Sequence, residues 1–129
     1  MNKHVFNTIV AGIGSMLTYL FGGWDTCLIV LVAFMILDYA TGLLNAWIQC
    51  RLNSKVGYKG IAKKASILVV LIVAVLLDRL LNNGIWVFRT LVCYFYIANE
   101  GISILENCGK CGLPLPEKLT KALEQLKNK

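Results

Sequence analysis

Histidine occurs once in this chain of 129 residues, as His4, and proline only twice, as Pro114 and Pro116. A single histidine at the edge of the chain leaves no Ser-His-Asp or Cys-His set for nucleophilic catalysis and no two-histidine zinc site. No glycine-rich loop is arranged to cradle a phosphate, and no carboxylates cluster at metal-ligand spacing. No enzyme, cofactor or metal is therefore expected. Charge is also scarce, at 16% of residues against 57% hydrophobic. A soluble domain carries about 25% charged residues. So little polar surface implies that the solvent is lipid. The net charge of +6 then reads as basic loops kept on the cytoplasmic side rather than as a nucleic-acid surface.

Cysteine is present five times but without the pattern that would give it work. Cys108 and Cys111 form one C-x2-C pair, whereas a structural zinc needs four ligands. Cys27, Cys50 and Cys93 are scattered through apolar stretches. A thioredoxin-like site would need a strand before the pair and a helix starting at it. Here an apolar helix precedes it, and Gly109 and Gly112 suit a helix cap and a turn. The pair reads as a turn in a reducing compartment.

What the chain has in abundance is apolar runs. Val5 to Trp24 is uncharged throughout, close to the roughly 20 residues a helix needs to cross the hydrocarbon core. Lys3 and this run resemble a signal peptide, but the run is long and no A-x-A-like site follows it, so a retained spanning helix is expected. The second run, Thr26 to Cys50, is broken only by Asp38. The third is Ala65 to Leu81. The fourth, Ile85 to Leu105, contains Arg89 and Glu100, and Asn82-Asn83-Gly84 supplies a tight turn before it. With four crossings and the N-terminus inside, Lys3, Arg51, Lys55, Lys59, Lys63, Lys64, Lys110, Lys118, Lys121, Lys127 and Lys129 all fall inside. Only Arg79 and Arg89 fall outside. That asymmetry is what the positive-inside rule predicts. The expected fold is an all-α membrane protein. Residues 1–107 form a transmembrane domain with helices near 5–24, 26–50, 65–81 and 85–107. Residues 108–129 form a cytoplasmic tail. In the tail Leu119, Leu123 and Leu126 recur at helical spacing among charges, and Pro116 suits a first turn. This short amphipathic helix is expected on the membrane surface or against a neighbouring subunit.

Polar residues inside the apolar runs are the candidate functional positions. A carboxylate at the membrane centre costs at least about 2.5–3.5 kcal/mol, which singles out Asp38, with Asn45 seven residues on along nearly the same face. In the fourth run Arg89, Tyr96, Glu100, Ser103 and Asn107 fall within about a 60° arc. Such a stripe should face protein or water, either in a static bundle or in a pore or assembly. Asp78 and Arg79 are expected at the interface. Thr8, Ala11, Gly12 and Ser15 are small residues spaced for close helix approach.

These pieces line up with a family. "DYATGLLNAW" at 38–47, "NSKVGYKGIAKKA" at 53–65, the lone Asp78, "YIANEGISILEN" at 96–107 and "GLPLPEKL" at 112–119 together resemble the phage lysis and toxin-secretion holins of Gram-positive bacteria and their phages (phage holin family 4). Asn53-Ser54 departs from the paired serines common there. The resemblance implies a non-enzymatic protein that forms homo-oligomers in the bacterial cytoplasmic membrane. Its lesions would release an endolysin for host-cell lysis, or export a toxin, with no required direct contact to either. Subunits would first bury Asp38, Asn45 and the Glu100 stripe against one another. Two other classes stay open: a small ion- or proton-coupled transporter or channel subunit, and a membrane adaptor whose basic segment recruits a partner.

Overall fold

The computed structural model of the chain describes residues 2–127. Met1, Asn128 and Lys129 lie outside the described residues, and with them the last basic residue counted above. Five helices follow one another: α1 (Lys3–Phe21), α2 (Thr26–Ile48), α3 (Ser54–Leu81), α4 (Phe88–Lys110) and α5 (Glu117–Lys127), with no strand among the described residues.

Three of the helix starts are set by side-chain caps, each satisfying one of the backbone N–H groups that a first turn leaves unpaired. Asn2 accepts from His4 N at 3.0 Å, Asp25 from Leu28 N at 3.0 Å and Asn53 from Val56 N at 2.9 Å. α1 stops at Phe21, short of the expected Trp24, because Gly22 turns left-handed at φ 82°. The turn before α4 is built as expected, with Asn83 at φ 53° and Gly84 at φ 82°.

One boundary expectation fails clearly. The basic segment before Ala65 is not a loop: α3 is helical from Ser54. Its 28 residues make a rod of about 42 Å, longer than the roughly 30 Å hydrocarbon core. The physical reason is packing. Gly57 and Gly60 leave room for the Tyr39 ring of α2; a Cβ on Gly60 would sit 3.1 Å from that ring. The Tyr39 hydroxyl donates to the Gly57 carbonyl at 3.3 Å.

α4 packs against α2, α3 and α5. The core between α2, α3 and α4 is formed by Leu28, Leu31 and Met35, Ile67 and Leu71, and Cys93 and Ile97, closed at one end by Phe21. α1 joins this bundle only through its last turns. Residues 2–16 are all exposed, while Tyr19 is held by Arg79, whose guanidinium lies 3.9 Å from the ring centroid. Three helices, α1, α2 and α3, are long and apolar enough to cross a membrane. α4 matches α2 in length at 23 residues, but Arg89, Asn99 and Glu100 lower its hydropathy below theirs.

α5 forms where the leucine spacing of the tail places a helix. It folds back on its own chain and packs on α4. Leu123 is buried over Gly101, where an added Cβ would lie 2.9 Å from the leucine methyl. The C-x2-C pair marks the end of α4: Cys108 lies in its last turns, Cys111 is its C-cap, and Gly112 follows at φ 96°. Both cysteines are free thiols.

Candidate functional site

The bundle's polar groups are gathered into two clusters at opposite ends of the helices. Asp25 and Asp38 are 13 residues apart, about 20 Å along α2, so the clusters are separated by most of a hydrocarbon core.

The first cluster centres on Arg89, 2% exposed. Its Nη1 and Nη2 donate to the two carboxylate oxygens of Asp25 at 2.8 and 3.0 Å. Nε donates to the Phe21 carbonyl at 2.7 Å and Nη2 to the Gly23 carbonyl at 3.1 Å. One guanidinium thereby ties the α1–α2 connection to the start of α4. The planar fork matches a carboxylate in this bidentate geometry, which lysine could not reproduce. The hydrogen bonds from Arg89 hold the Asp25 carboxyl below its ordinary range. Asp78, fully buried, completes the cluster. Val87 offers α4 no side-chain cap, and Asp78 supplies one from ten residues upstream. Its carboxylate accepts from Phe88 N at 2.9 Å, Arg89 N at 2.8 Å and Asn82 Nδ2 at 2.8 Å. Asp78, expected at the membrane interface, lies in the last turn of α3 with its side chain turned into the bundle as a cap for α4. Arg79, expected beside it, is half-buried against Tyr19.

The second cluster centres on Lys64. Its ammonium donates to Asp38 Oδ2 of α2 and Glu100 Oε2 of α4, joining three helices through one nitrogen. The Lys64, Asp38 and Glu100 side chains are 16%, 12% and 5% exposed. Asn107 Nδ2 donates to Asp38 Oδ1 at 3.1 Å and to the Thr41 hydroxyl at 3.0 Å. Ser103 lines the clefts on either side, of about 220 and 320 Å³.

The expected single stripe on α4 is thus divided between two sites. Glu100, Ser103 and Asn107 meet Asp38, while Arg89 serves the other end. Tyr96 lies between them, half-buried against the core and edge-on to Phe95 at 5.1 Å. Asn45 is buried, but its side chain accepts from Gln49 at 3.1 Å and does not join Asp38. The small residues of α1 are exposed at Ala11, Gly12 and Ser15, with no heavy atom among the described residues within 4 Å of a Cβ built on Gly12, and the Thr8 hydroxyl donates to His4 O at 2.9 Å. The sequence reading missed Lys64, Asp25 and Asp78 as site residues. A lysine one helical turn after Gly60, and acidic residues at Asp25 and Asp78 beside predicted helix ends, were the available signals. Among the described residues, no group of histidine, cysteine or carboxylate side chains could hold a metal.

Two glycines isolate the Arg89 contact. Gly22 and Gly84 share φ +82°, so alanine at either pays the same left-handed penalty of about 1 kcal/mol. A Cβ at Gly22 would also sit 2.7 Å from Arg89 Nε, whereas nothing lies within 4 Å of one at Gly84. Gly22→Ala is expected to lower the melting temperature of the purified protein more than Gly84→Ala. Equal shifts would mean that the guanidinium moves aside without loss.

The fold and the two clusters define a small helical membrane protein whose buried charges are gathered at the two ends of the bundle. The sequence places it further: residues 15–128 match the bacteriophage holin family, and the chain belongs to that family. It is 57% identical over 125 residues to an uncharacterised protein of Clostridium acetobutylicum, covering 97% of this chain and all of that one. It is 57% identical over 130 residues to an uncharacterised 14.9 kDa protein of Clostridium perfringens, covering 98% of each chain. A probable holin of Bacillus phage phi105 is 36% identical over 111 residues, covering 85% of this chain and 80% of its own. No solved structure matches the chain.

Proposed function

We propose that the protein is a holin, a non-enzymatic protein of the bacterial cytoplasmic membrane whose copies assemble and open lesions for an endolysin or an exported toxin. The observation that carries this reading is the bundle itself, in a chain of the holin family. Its α2, α3 and α4 are closed by one ionic cluster at each end, with an apolar middle. Asp38 and Glu100 are satisfied within one chain, so a second copy is not needed to shield them. Opening a water-filled face would require Lys64 to part from at least one of them. α1, exposed over residues 2–16, is the surface free to meet lipid or another copy.

Four crossings with both termini inside fit this reading. α4 runs between the same two clusters as α2, from Arg89 beside Asp25 to Asn107 beside Asp38, and turns its charges toward its neighbours. The basic residues of α3 before Ala65 and of the tail then share the cytoplasmic side. A cysteine placed at Asn83 should react with an impermeant thiol reagent outside intact cells, and Cys108 and Cys111 should not. Labelling of the native tail from outside would reverse the orientation.

The test of function is induction in a bacterium with and without a cytoplasmic endolysin. Lysis that requires both proteins, after membrane depolarisation, is the expected result. The Lys64 cluster is the observation that favours a second reading, a small ion- or proton-coupled transporter. That protein would move ions, retain the endolysin and leave the culture intact.

A further inference from the structure

The Lys64 cluster does not balance in charge. Two carboxylates, Asp38 and Glu100, meet one ammonium, and all three side chains are at most 16% exposed. Two acceptors at ordinary hydrogen-bond range from one nitrogen lie within about 6 Å of each other. Like charges at that separation, taken out of water, disfavour double ionisation, and one carboxyl of such a pair keeps its proton. The other neighbours do not offset the second charge. From α2, Tyr39 and Thr41 carry no positive charge, nor do Tyr96, Asn99, Ser103 and Asn107 of α4, and the Asn107 amide already donates to Asp38 and Thr41. On α5, which packs on α4, Lys118 and Lys121 are exposed and Lys121 pairs with Glu117. From α3, Lys63 lines both adjoining clefts, but it is exposed and forms no ion pair among the described residues.

We propose that Asp38 and Glu100 form a proton-binding pair that holds one proton between the two carboxyl groups above the Lys64 ammonium. With that proton the cluster is neutral: one carboxylate pairs with the ammonium, and the carboxylic acid donates its proton to that carboxylate. Loss of the proton would leave one uncompensated negative charge where α2, α3 and α4 meet. The site takes a proton rather than a larger ligand, because its polar atoms are engaged with one another. The inference stands on the geometry of the cluster and does not depend on lesion formation.

The test is carbon-13 NMR of the purified full-length protein in lipid nanodiscs, with Asp and Glu side-chain carboxyls labelled. At neutral pH the wild type should show one carboxylic-acid signal per chain. Asp38→Asn and Glu100→Gln should each abolish it, because the remaining carboxylate then pairs one-to-one with Lys64. Lys63→Gln should leave it unchanged. Circular dichroism establishes that each variant keeps its helix content. Fully ionised Asp38 and Glu100 in the wild type would overturn the proposal without any variant. So would an acid signal that appears only in Lys63→Gln, which would make Lys63 the second counter-charge.

Discussion

Replacing Asp25 with asparagine is expected to destabilise the protein by about 2–3 kcal/mol, more than replacing Arg89 with methionine. The two partners of this ion pair are buried unequally: the Arg89 side chain is 2% exposed and that of Asp25 is 51% exposed. Asparagine keeps the cap on Leu28 N but leaves a buried guanidinium without its counter-charge. Methionine in place of Arg89 leaves Asp25 free to rehydrate and fills much of the arginine stem's volume. What it loses is the donors to the Phe21 and Gly23 carbonyls, at about 1 kcal/mol each. Fully buried pairs cost about 3–5 kcal/mol to break from one side; the open face of Asp25 puts this one lower. Thermal unfolding of both variants in one detergent measures the order. A larger loss for Arg89→Met would show that the arginine works as a clamp on the loop carbonyls and that its charge is secondary.

The same pair sets an acid limit. Asp25 has its carboxyl held below the ordinary value by Arg89. A depressed carboxylate contributes stability that is fully present above its unfolded value of about 3.9. That contribution is lost as pH falls through the lower folded value. The contribution of this pair should therefore be lost only below about pH 4, and Asp25→Asn should lack that part of the acid sensitivity.

Much of this architecture was legible because lipid solvent leaves a strong mark. The apolar runs located α1, α2 and α4 to within three residues at most ends, and Asp38 and Glu100 stood out as polar groups too costly to leave unpaired. The partner of both was missed for a specific reason. Lys63 and Lys64 were read together as loop cations, since positive charge near an apolar run marks a cytoplasmic connection. The Asn53 cap and the glycines at 57 and 60 pointed instead to a helix packed on Tyr39. One further turn carries Lys64 inward while Lys63 remains exposed. Spacing on α4 likewise places Arg89 and Glu100 on one face, but two positions 11 residues apart on a helix touch different neighbours. Asp78 could not be assigned from its own surroundings, because the N–H groups that it caps lie across a turn. Leucine spacing identified α5, but not that Gly101 would receive Leu123.

Lys64→Met should be the most damaging single change in the bundle. Methionine has nearly the length of the lysine stem and can fill its space, so packing is largely retained while the charge is removed. Asp38 and Glu100 would then face each other without a cation, at sites 12% and 5% exposed. Removing one side of a buried ionic group costs about 3–5 kcal/mol. Here the two carboxylates left behind also repel, and full protonation of both is their least costly escape. Stability of Lys64→Met should therefore fall as pH rises, since the charged forms are the ones with no partner. A second substitution tests the cause. Adding Glu100→Gln leaves a single carboxylate, which Asn107 already supports by a hydrogen bond at 3.1 Å to Asp38 Oδ1. Adding Asp38→Asn as well leaves no charge at all. Stability should recover stepwise along that series, and the loss of stability with rising pH should vanish in the triple variant, which keeps only the acid limit set by Asp25. In cells the single variant should depolarise the membrane earlier than the wild type at equal abundance, and the triple variant later than the single one. If Lys64→Met unfolds no more readily than Lys63→Met, the ion cluster does not hold α2, α3 and α4 together, and opening would have to be limited at the Arg89 end.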